Sequence, residues 1–350
     1  VRPETFHAIV RGDRSGPLAA AARLGLWAAS GPYRLGVWWR NRGYDRGRRP
    51  VVRAGVPVVS VGNLTLGGTG KTPCVEYVAG FYRDIGLQAA ILSRGYGAAA
   101  GPNDEALVLE ENLPDVPHLQ DADRAAAALR AVEELESEVL VLDDGFQHRR
   151  LHRDLDVVLI DATLPPHRDR MFPRGTLREP EANLKRAAVV LLTRCDQAPD
   201  ADATRTRLTT RFPHLTVATS EHRPIELLGG DVPEPVESLR GKVVAGFAGI
   251  GSPPAFRRTL ESLGATVADF RAYPDHHPYT RADVDDLRAW AARLPPDALV
   301  ATTQKDWVKL RLPELAGRPL RAVRVGLAVR DGRDAFEAAL ARVVTGERPE

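Results

Sequence analysis

Lys71 and Thr72 close a glycine-rich stretch, GNLTLGGTGKTP, that runs from Gly62 to Pro73. A phosphate-binding loop works because successive backbone N–H groups converge on an anion at a helix N-terminus. Glycines allow the unusual backbone angles and the close approach, the lysine reaches the terminal phosphates, and the Ser/Thr hydroxyl binds Mg²⁺. Thr65, Gly67, Gly68, Thr69, Gly70, Lys71 and Thr72 are therefore the candidate nucleotide-binding residues. The usual spacing, G-x-x-x-x-G-K-[ST], asks for glycine where Thr65 stands. A threonine is tolerable there if the first position of the loop keeps negative φ. The bland alternative is a glycine turn with an incidental Lys-Thr, but an apolar strand before it and a helix after it favour phosphate.

Carboxylates supply the second half of such chemistry. VLVLDD (Val139–Asp144) is an apolar run ending in two acids, and a strand-end aspartate can reach the Mg²⁺ beside the loop. Consecutive side chains on a strand point to opposite faces, so one of Asp143 and Asp144 faces the metal directly. Asp104 and Glu105 open another helical stretch, where capping is the plain reading. YPDHHPY (Tyr273–Tyr279) sets His276 and His277 between prolines in a loop, a pattern suited to acid–base or metal work. Zinc lacks further ligands at suitable spacing. The glycines of GFAGIGSPP (Gly246, Gly249, Gly251) follow G-x-x-G-x-G, the wrong spacing for a dinucleotide fingerprint, and read as a close-approach loop.

These residues need a scaffold that presents loops at strand ends. The chain has 350 residues, 43% apolar, enough for two domains with real cores. PVVSVGN, AAILS, VLVLDD, LDVVLID and AAVVLLT are apolar runs without period-2 alternation, the pattern of parallel strands covered on both faces. KTPCVEYVAGFYRDIG and ADRAAAALRAVEEL read as the intervening helices, the first burying Val75, Val78, Ala79 and Tyr82. The same strand–loop–helix logic resumes after Gly241, and the proline- and glycine-rich stretch from Pro224 to Gly241 is the linker candidate. The expected organisation is an N-terminal segment (1–53), a phosphate-loop domain (54–225) and a smaller α/β domain (240–350).

Net charge is +2, so bulk electrostatics give no reason to expect nucleic acid, and no protein partner is predicted. Cys74 and Cys195 read as reduced thiols rather than a disulfide or metal framework. The segment Pro17–Arg49 is apolar but broken by Arg23, Pro32 and Arg34, so it is no confident membrane span, and it has no cleavage site of a signal peptide. Trp27, Trp38 and Trp39 beside Arg34, Arg40, Arg42 and Arg46 suit a membrane surface, and equally an ordinary packed helix.

Taken in order, SVGNLTLGGTGKTP, SRGYG, DDGFQHRRLHRDLD, FPRGTLREP, GIGSPPAF, YPDHHPY and TTQKD resemble the tetraacyldisaccharide 4′-kinases over about Val58 to Asp306. That resemblance makes Thr65 part of a family pattern. It implies a P-loop NTPase-like α/β/α sandwich, a second, smaller α/β domain that completes the active-site cleft, and an N-terminal membrane-associated helix. It further implies a cytoplasmic-face, inner-membrane enzyme that uses ATP and Mg²⁺ to phosphorylate the 4′-hydroxyl of a tetraacyldisaccharide 1-phosphate. Asp104 matches the catalytic base, paired with His276 or His277, and Lys71, Thr72, Asp143 and Asp144 match the phosphate and metal positions. Ser93, Arg94, Tyr96, Glu105, Arg124, Gln147 and His148 match further active-site positions. Where the family has G-D-E-P, this chain has Asn103-Asp104-Glu105-Ala106. A nucleotide-driven switch or metallochaperone is the rival reading; TQKD (Thr303–Asp306) resembles a guanine-reading motif only loosely.

Overall fold

Apolar runs become buried strands and the glycine- and acid-tipped segments between them become the loops that matter. A computed structural model describes residue 10 and residues 15–95 and 104–346. The elements, in chain order, are α1 (Pro17–Asp45), β1 (Val58–Asn63), α2 (Lys71–Asp84), β2 (Ala89–Ser93), α3 (Asp104–Asn112), β3 (His118–Gln120), α4 (Arg124–Leu135), β4 (Val139–Asp143), β5 (Leu155–Asp161) and β6 (Val189–Thr193). They continue with α5 (Ala201–Arg211), β7 (Thr216–Leu228), β8 (Glu234–Pro235), β9 (Val243–Ala248), α6 (Pro253–Ser262), β10 (Thr266–Ala272), α7 (Arg281–Ala291), β11 (Leu299–Thr303), α8 (Gln304–Leu310), β12 (Glu314–Leu315), β13 (Arg318–Asp331) and α9 (Arg333–Thr345).

The chain folds into two compact units. The first draws on the chain up to Arg94, on Leu119–Glu221 and on Val329 onward; the second on Gly95–His118 and His222–Ala328. Two of the four passages of the chain between them fall inside long strands, β7 and β13. β7 runs through Pro224 to Leu228, where composition suggests a linker; the turn-rich residues follow it instead.

In the first unit β1 lies between β4 and β5, β2 extends the sheet beyond β4, and β6 followed by the first half of β7 extends it beyond β5, all in parallel. Every residue of β1, β2 and β6 is buried, as expected of strands with helices on both faces. One core packs Leu64, Phe146, Ile160, Leu177 and Leu184 together, and another packs Leu92, Leu142 and Leu151 against the alanines of α4. The alanines let α4 approach the sheet closely, and Asp123 caps it by accepting from the Ala125 and Ala126 amides. The helix expected after the glycine loop is α2, with Val75, Val78, Ala79 and Tyr82 on its buried face.

In the second unit β9 pairs in parallel with β10 and β11, and β11 with β13. The two-residue strands are antiparallel, β12 on β13 and β8 on the end of β7. One core gathers Phe256 and Leu260 of α6 with Val244 and Ala301, and the other gathers Phe247, Tyr279, Leu287 and Trp290. The fold is thus the α/β class expected from the sequence, with mostly parallel strands and an N-terminal helix.

α1 has 29 residues and buries only Val37 and Asn41. Leu18, Leu24, Trp27, Leu35, Trp38 and Trp39 are all more than half exposed. It is tied to its unit by polar contacts: Glu179, fully buried, accepts from Arg40 and Asn41, and Tyr33 donates to the Arg178 carbonyl. Among the described residues no helix is long and apolar enough to cross a membrane.

Candidate active site

The glycine loop of the first unit leaves β1 at Asn63 and enters α2 at Lys71. Gly67 and Gly70 take φ of 106° and 85°, angles that a side chain at either position would strain. Thr65 is not among the residues with positive φ, which removes the objection to threonine at the first position. Gly70 stands at the N-cap of α2 and offers no side chain to the first amides of the helix, an arrangement that suits an anion. The loop is braced from outside. Thr69 accepts from Asn63 at 2.9 Å, its carbonyl accepts from Thr193 at 3.0 Å, and the Gly68 carbonyl accepts from Arg194 at 2.8 Å. Gly62 is required by packing: a Cβ there would lie 2.7 Å from the Phe146 backbone nitrogen.

Of the two acids at the end of β4, Asp144 lies beside the loop lysine. Asp144 sits just past β4 in the left-handed region (φ 50°), a conformation aspartate tolerates. Its two oxygens accept from Arg178 at 2.7 and 2.8 Å, and Lys71 Nζ lies 3.6 Å away. Burial alone would raise the Asp144 pKa; the Arg178 hydrogen bonds and the charges of Lys71, Arg178 and Arg124 outweigh it and hold the carboxylate far below the usual range. Arg178 also bonds Asn63, so one guanidinium joins the strand that leads into the loop to the acid facing Lys71. Arg124 donates to the carbonyls of Asp143 and Asp144 at 3.0 and 3.2 Å, fixing the strand end. Gln147 donates to the Asn63 carbonyl at 2.9 Å. Burial pushes the His148 imidazole down to about 4, which keeps it neutral near pH 7. Ser93 ends β2, buried, with Arg94 exposed after it; Tyr96 lies outside the described residues.

The second unit holds the other constellation. Asp104 opens α3 with a side chain only 6% exposed, and His276 Nδ1 stands 2.9 Å from both its oxygens. Burial raises the Asp104 pKa, but hydrogen bonds with His276 and Glu105 and the charges of Lys305 and His276 outweigh it and keep Asp104 ionised. The Asp104 hydrogen bond raises the His276 pKa above its ordinary 6.5, against desolvation. His276 has φ of 57°, and its amide donates to the Gly249 carbonyl at 3.0 Å. A Cβ at Gly249 would come within 3.0 Å of Asp306 Oδ1 and 3.1 Å of His277 Cβ, which bears out the close-approach reading of that loop.

The structure brings His276, and not His277, to Asp104. His277 is held elsewhere: it stacks on Tyr273 with centroids 4.8 Å apart, and its Nε2 lies 3.2 Å from Asp283. Asp283 also forms the capping box of α7 with Thr280.

Three cations beside these acids had not been singled out in the sequence. Arg178 is one. Lys305 and Lys309 are one turn apart on α8 and meet the acids of α3: Lys305 Nζ lies 2.7 Å from Glu105 Oε1 and Lys309 Nζ 3.7 Å from Asp104 Oδ2. Their i, i+4 spacing, from the lysine of TTQKD onward, was the available signal. Asp104, Glu105 and His276 are close enough to share a metal ion, but the two ammonium groups already supply that positive charge.

A buried parallel strand leading through such a loop into a helix, with an aspartate facing its lysine, places the chain in the P-loop class of α/β proteins. The family described as tetraacyldisaccharide-1-P 4′-kinase (LpxK) matches residues 22–345, and the chain belongs to it. The tetraacyldisaccharide 4′-kinase of Anaeromyxobacter dehalogenans (strain 2CP-C) is 44% identical over 94% of this chain and 93% of its own length. That of Syntrophus aciditrophicus is 37% identical over 85% of this chain and 87% of its own. The crystal structure of LpxK from Aquifex aeolicus in complex with ATP is similar at 28% identity with a TM-score of 0.74, covering 92% of this chain and 99% of that one.

Proposed function

We propose that this protein transfers the γ-phosphoryl group of ATP to the 4′-hydroxyl of a tetraacyldisaccharide 1-phosphate, a lipid A precursor. The observation that carries this reading is the family match along residues 22–345, nearly the whole described chain. The donor side is assigned to the first unit. The α2 amides and Lys71 hold the β- and γ-phosphates, and Arg178 keeps Asp144 charged and aimed at Lys71. Both Asp144 oxygens are engaged by Arg178, so Thr72 and Asp143 are the oxygen donors assigned to Mg²⁺, a hard cation that such ligands suit. Bound there, Mg²⁺ neutralises phosphate charge. Arg124 acts through the strand end it fixes rather than on a phosphate.

The acceptor side is assigned to Asp104 and His276. A sugar hydroxyl is a weak acid, and phosphoryl transfer needs it oriented first and deprotonated as the bond to phosphorus forms. A carboxylate whose pKa is held this low is a weak acceptor alone, so the Asp104–His276 pair takes up the proton as one unit. Asp104 is the partner assigned to the hydroxyl and His276 the one that balances the charge. His277 positions the loop through Tyr273 and Asp283.

α1 is assigned to a membrane surface on the cytoplasmic side of the inner membrane. Its exposed Trp27, Trp38 and Trp39 suit the headgroup layer and its arginines suit anionic lipid, which would keep the enzyme near its acylated substrate. The deciding experiment is transfer of radiolabelled phosphate from Mg-ATP to the lipid acceptor by wild type and by Asp104→Ala. A bisphosphorylated lipid from the wild type alone is expected. Full turnover by Asp104→Ala would remove Asp104 from this role, and a rival nucleotide switch would give hydrolysis with no labelled lipid.

A further inference from the structure

We propose that Lys309 is a positioning residue for the proton-accepting pair: its ammonium group holds Asp104 in place and sets how readily Asp104 and His276 together take a proton. The inference rests on the phosphotransfer reading above. Lys309 Nζ lies 3.0 Å from the His277 carbonyl oxygen, 3.5 Å from Asp306 Oδ1, 3.7 Å from Asp104 Oδ2 and 5.3 Å from the centroid of the Tyr279 ring. Its side chain is 13% exposed, and those of Asp306 and Asp104 are 0% and 6%. A cation this enclosed persists because anions and carbonyls surround it, and they depend on it in turn.

The framework, not the substrate, fixes where Lys309 stands. Asp306 accepts from the Gly249 amide at 3.1 Å, from Tyr279 Oη at 3.1 Å and from Thr303 Oγ1 at 2.6 Å. Lys309 leans on that anchored carboxylate and reaches past it to Asp104. Its bond to the His277 carbonyl also pins the residue next to His276, whose backbone is in the left-handed region. Lys305, one turn earlier, is hydrogen-bonded to Glu105, and its charge also helps to hold the Asp104 pKa down. The groups around Asp104 are Glu105 on α3, Asp275, His276 and Tyr279 on the loop, and Lys305, Asp306 and Lys309 on α8. Four carboxylates thus share two lysines and one imidazole. Removing Lys309 leaves that cluster more negative, so the pair holds its proton more tightly.

The test is kcat/KM for the lipid acceptor against pH, for wild type, Lys309→Met and Lys309→Arg, beside an NMR titration of the His276 imidazole in the full chain. Lys309→Met should move the acid limb up by about one pH unit, a loss of about tenfold below the limb that shrinks above it. KM for ATP should stay unchanged, His276 should titrate higher by a similar amount, and Lys309→Arg should keep the wild-type limb. A folded Lys309→Met with limb and His276 titration unmoved, or with equal loss at every pH, overturns the proposal. If Lys309→Met does not fold, Lys309→Arg decides, since an upward shift in a variant that keeps the charge also overturns it. If the wild type labels no lipid, the phosphotransfer reading fails, and the His276 titration still decides the inference.

Discussion

Each unit carries an aspartate held by cations, buried in the second and partly exposed in the first, and the two differ in what the cations are. Asp144 in the first unit faces a guanidinium and a lysine. Asp104 in the second faces two lysines and a histidine. An arginine keeps its charge at any physiological pH and grips a carboxylate with two parallel donors. A histidine changes charge near neutrality. The first site is built to keep its charges as they are across the physiological range. The second is built to gain and lose one proton, which suits an acceptor hydroxyl that must shed one. Both aspartates have depressed pKa values, so the stability they lend is complete above the ordinary value of 3.8 and is lost only as pH falls far below it. His276 has a raised pKa, so its pair with Asp104 stabilises the fold below pH 6.5 and ceases to do so as pH rises through its raised value.

The largest expected effects separate the two sites by what they impair. Asp104→Ala should lower kcat about 10²–10⁴-fold with little change in ATP binding, measured by turnover beside nucleotide titration. Lys71→Ala should cost about 10²–10³-fold and weaken Mg-ATP binding as well; intact transfer in that variant would end the phosphate-loop assignment. Next comes Arg178→Lys, which keeps the charge but loses the two-pronged grip and the bond to Asn63. About tenfold lower kcat/KM for ATP at every pH is expected, and a pH-dependent loss would break the contrast between the sites. In the wild type, kcat/KM should rise with pH through an apparent value above 6.5, because the pair must shed its proton before it can take another. Asp104→Asn should drop that value, since Asp104 is what raises it; a limb left in place would assign it elsewhere. Replacing Trp27, Trp38 and Trp39 with serine should weaken binding to anionic vesicles about tenfold while sparing transfer to a detergent-dispersed acceptor. The smallest effect is on stability: Thr280→Ala removes the cap of α7 beside the histidine loop and should cost about 1 kcal/mol in a denaturant titration.

The first site was far more legible than the second for a physical reason. Lys71, Thr72 and the loop glycines are contiguous, and the strand before them is an unbroken apolar run, so local pattern places them together. Asp143 ends the neighbouring parallel strand with Asp144 just past it, and parallel register brings strand ends to one edge of the sheet. The second site joins residues from Asp104 to Lys309 through a packing of α3 on α8 that no local period announces. TTQKD reads as a polar strand tip, yet Thr303 caps a helix there, and only that helix puts Lys305 and Lys309 on one face. His276 and His277 are indistinguishable in sequence; the stack on Tyr273 and the contact with Asp283 claim the second and leave the first for Asp104. The grouping of Gly95–His118 with the second unit is equally invisible, because those residues lie between two strands of the first.

The passage of the chain through β7 and β13 bears on the order of synthesis. α9 follows the entire second unit, yet it belongs to the first: Tyr82 of α2 donates to the Leu340 carbonyl at 2.9 Å, and Phe336 stacks on Tyr77 with ring planes 15° apart. As the ribosome releases the polypeptide from its N-terminal end, the helix behind the phosphate loop waits for partners made more than two hundred residues later. The half assigned to ATP, although it emerges first, is therefore the last to be sealed, and a chain truncated after β13 would carry both sets of active-site residues with α2 uncovered.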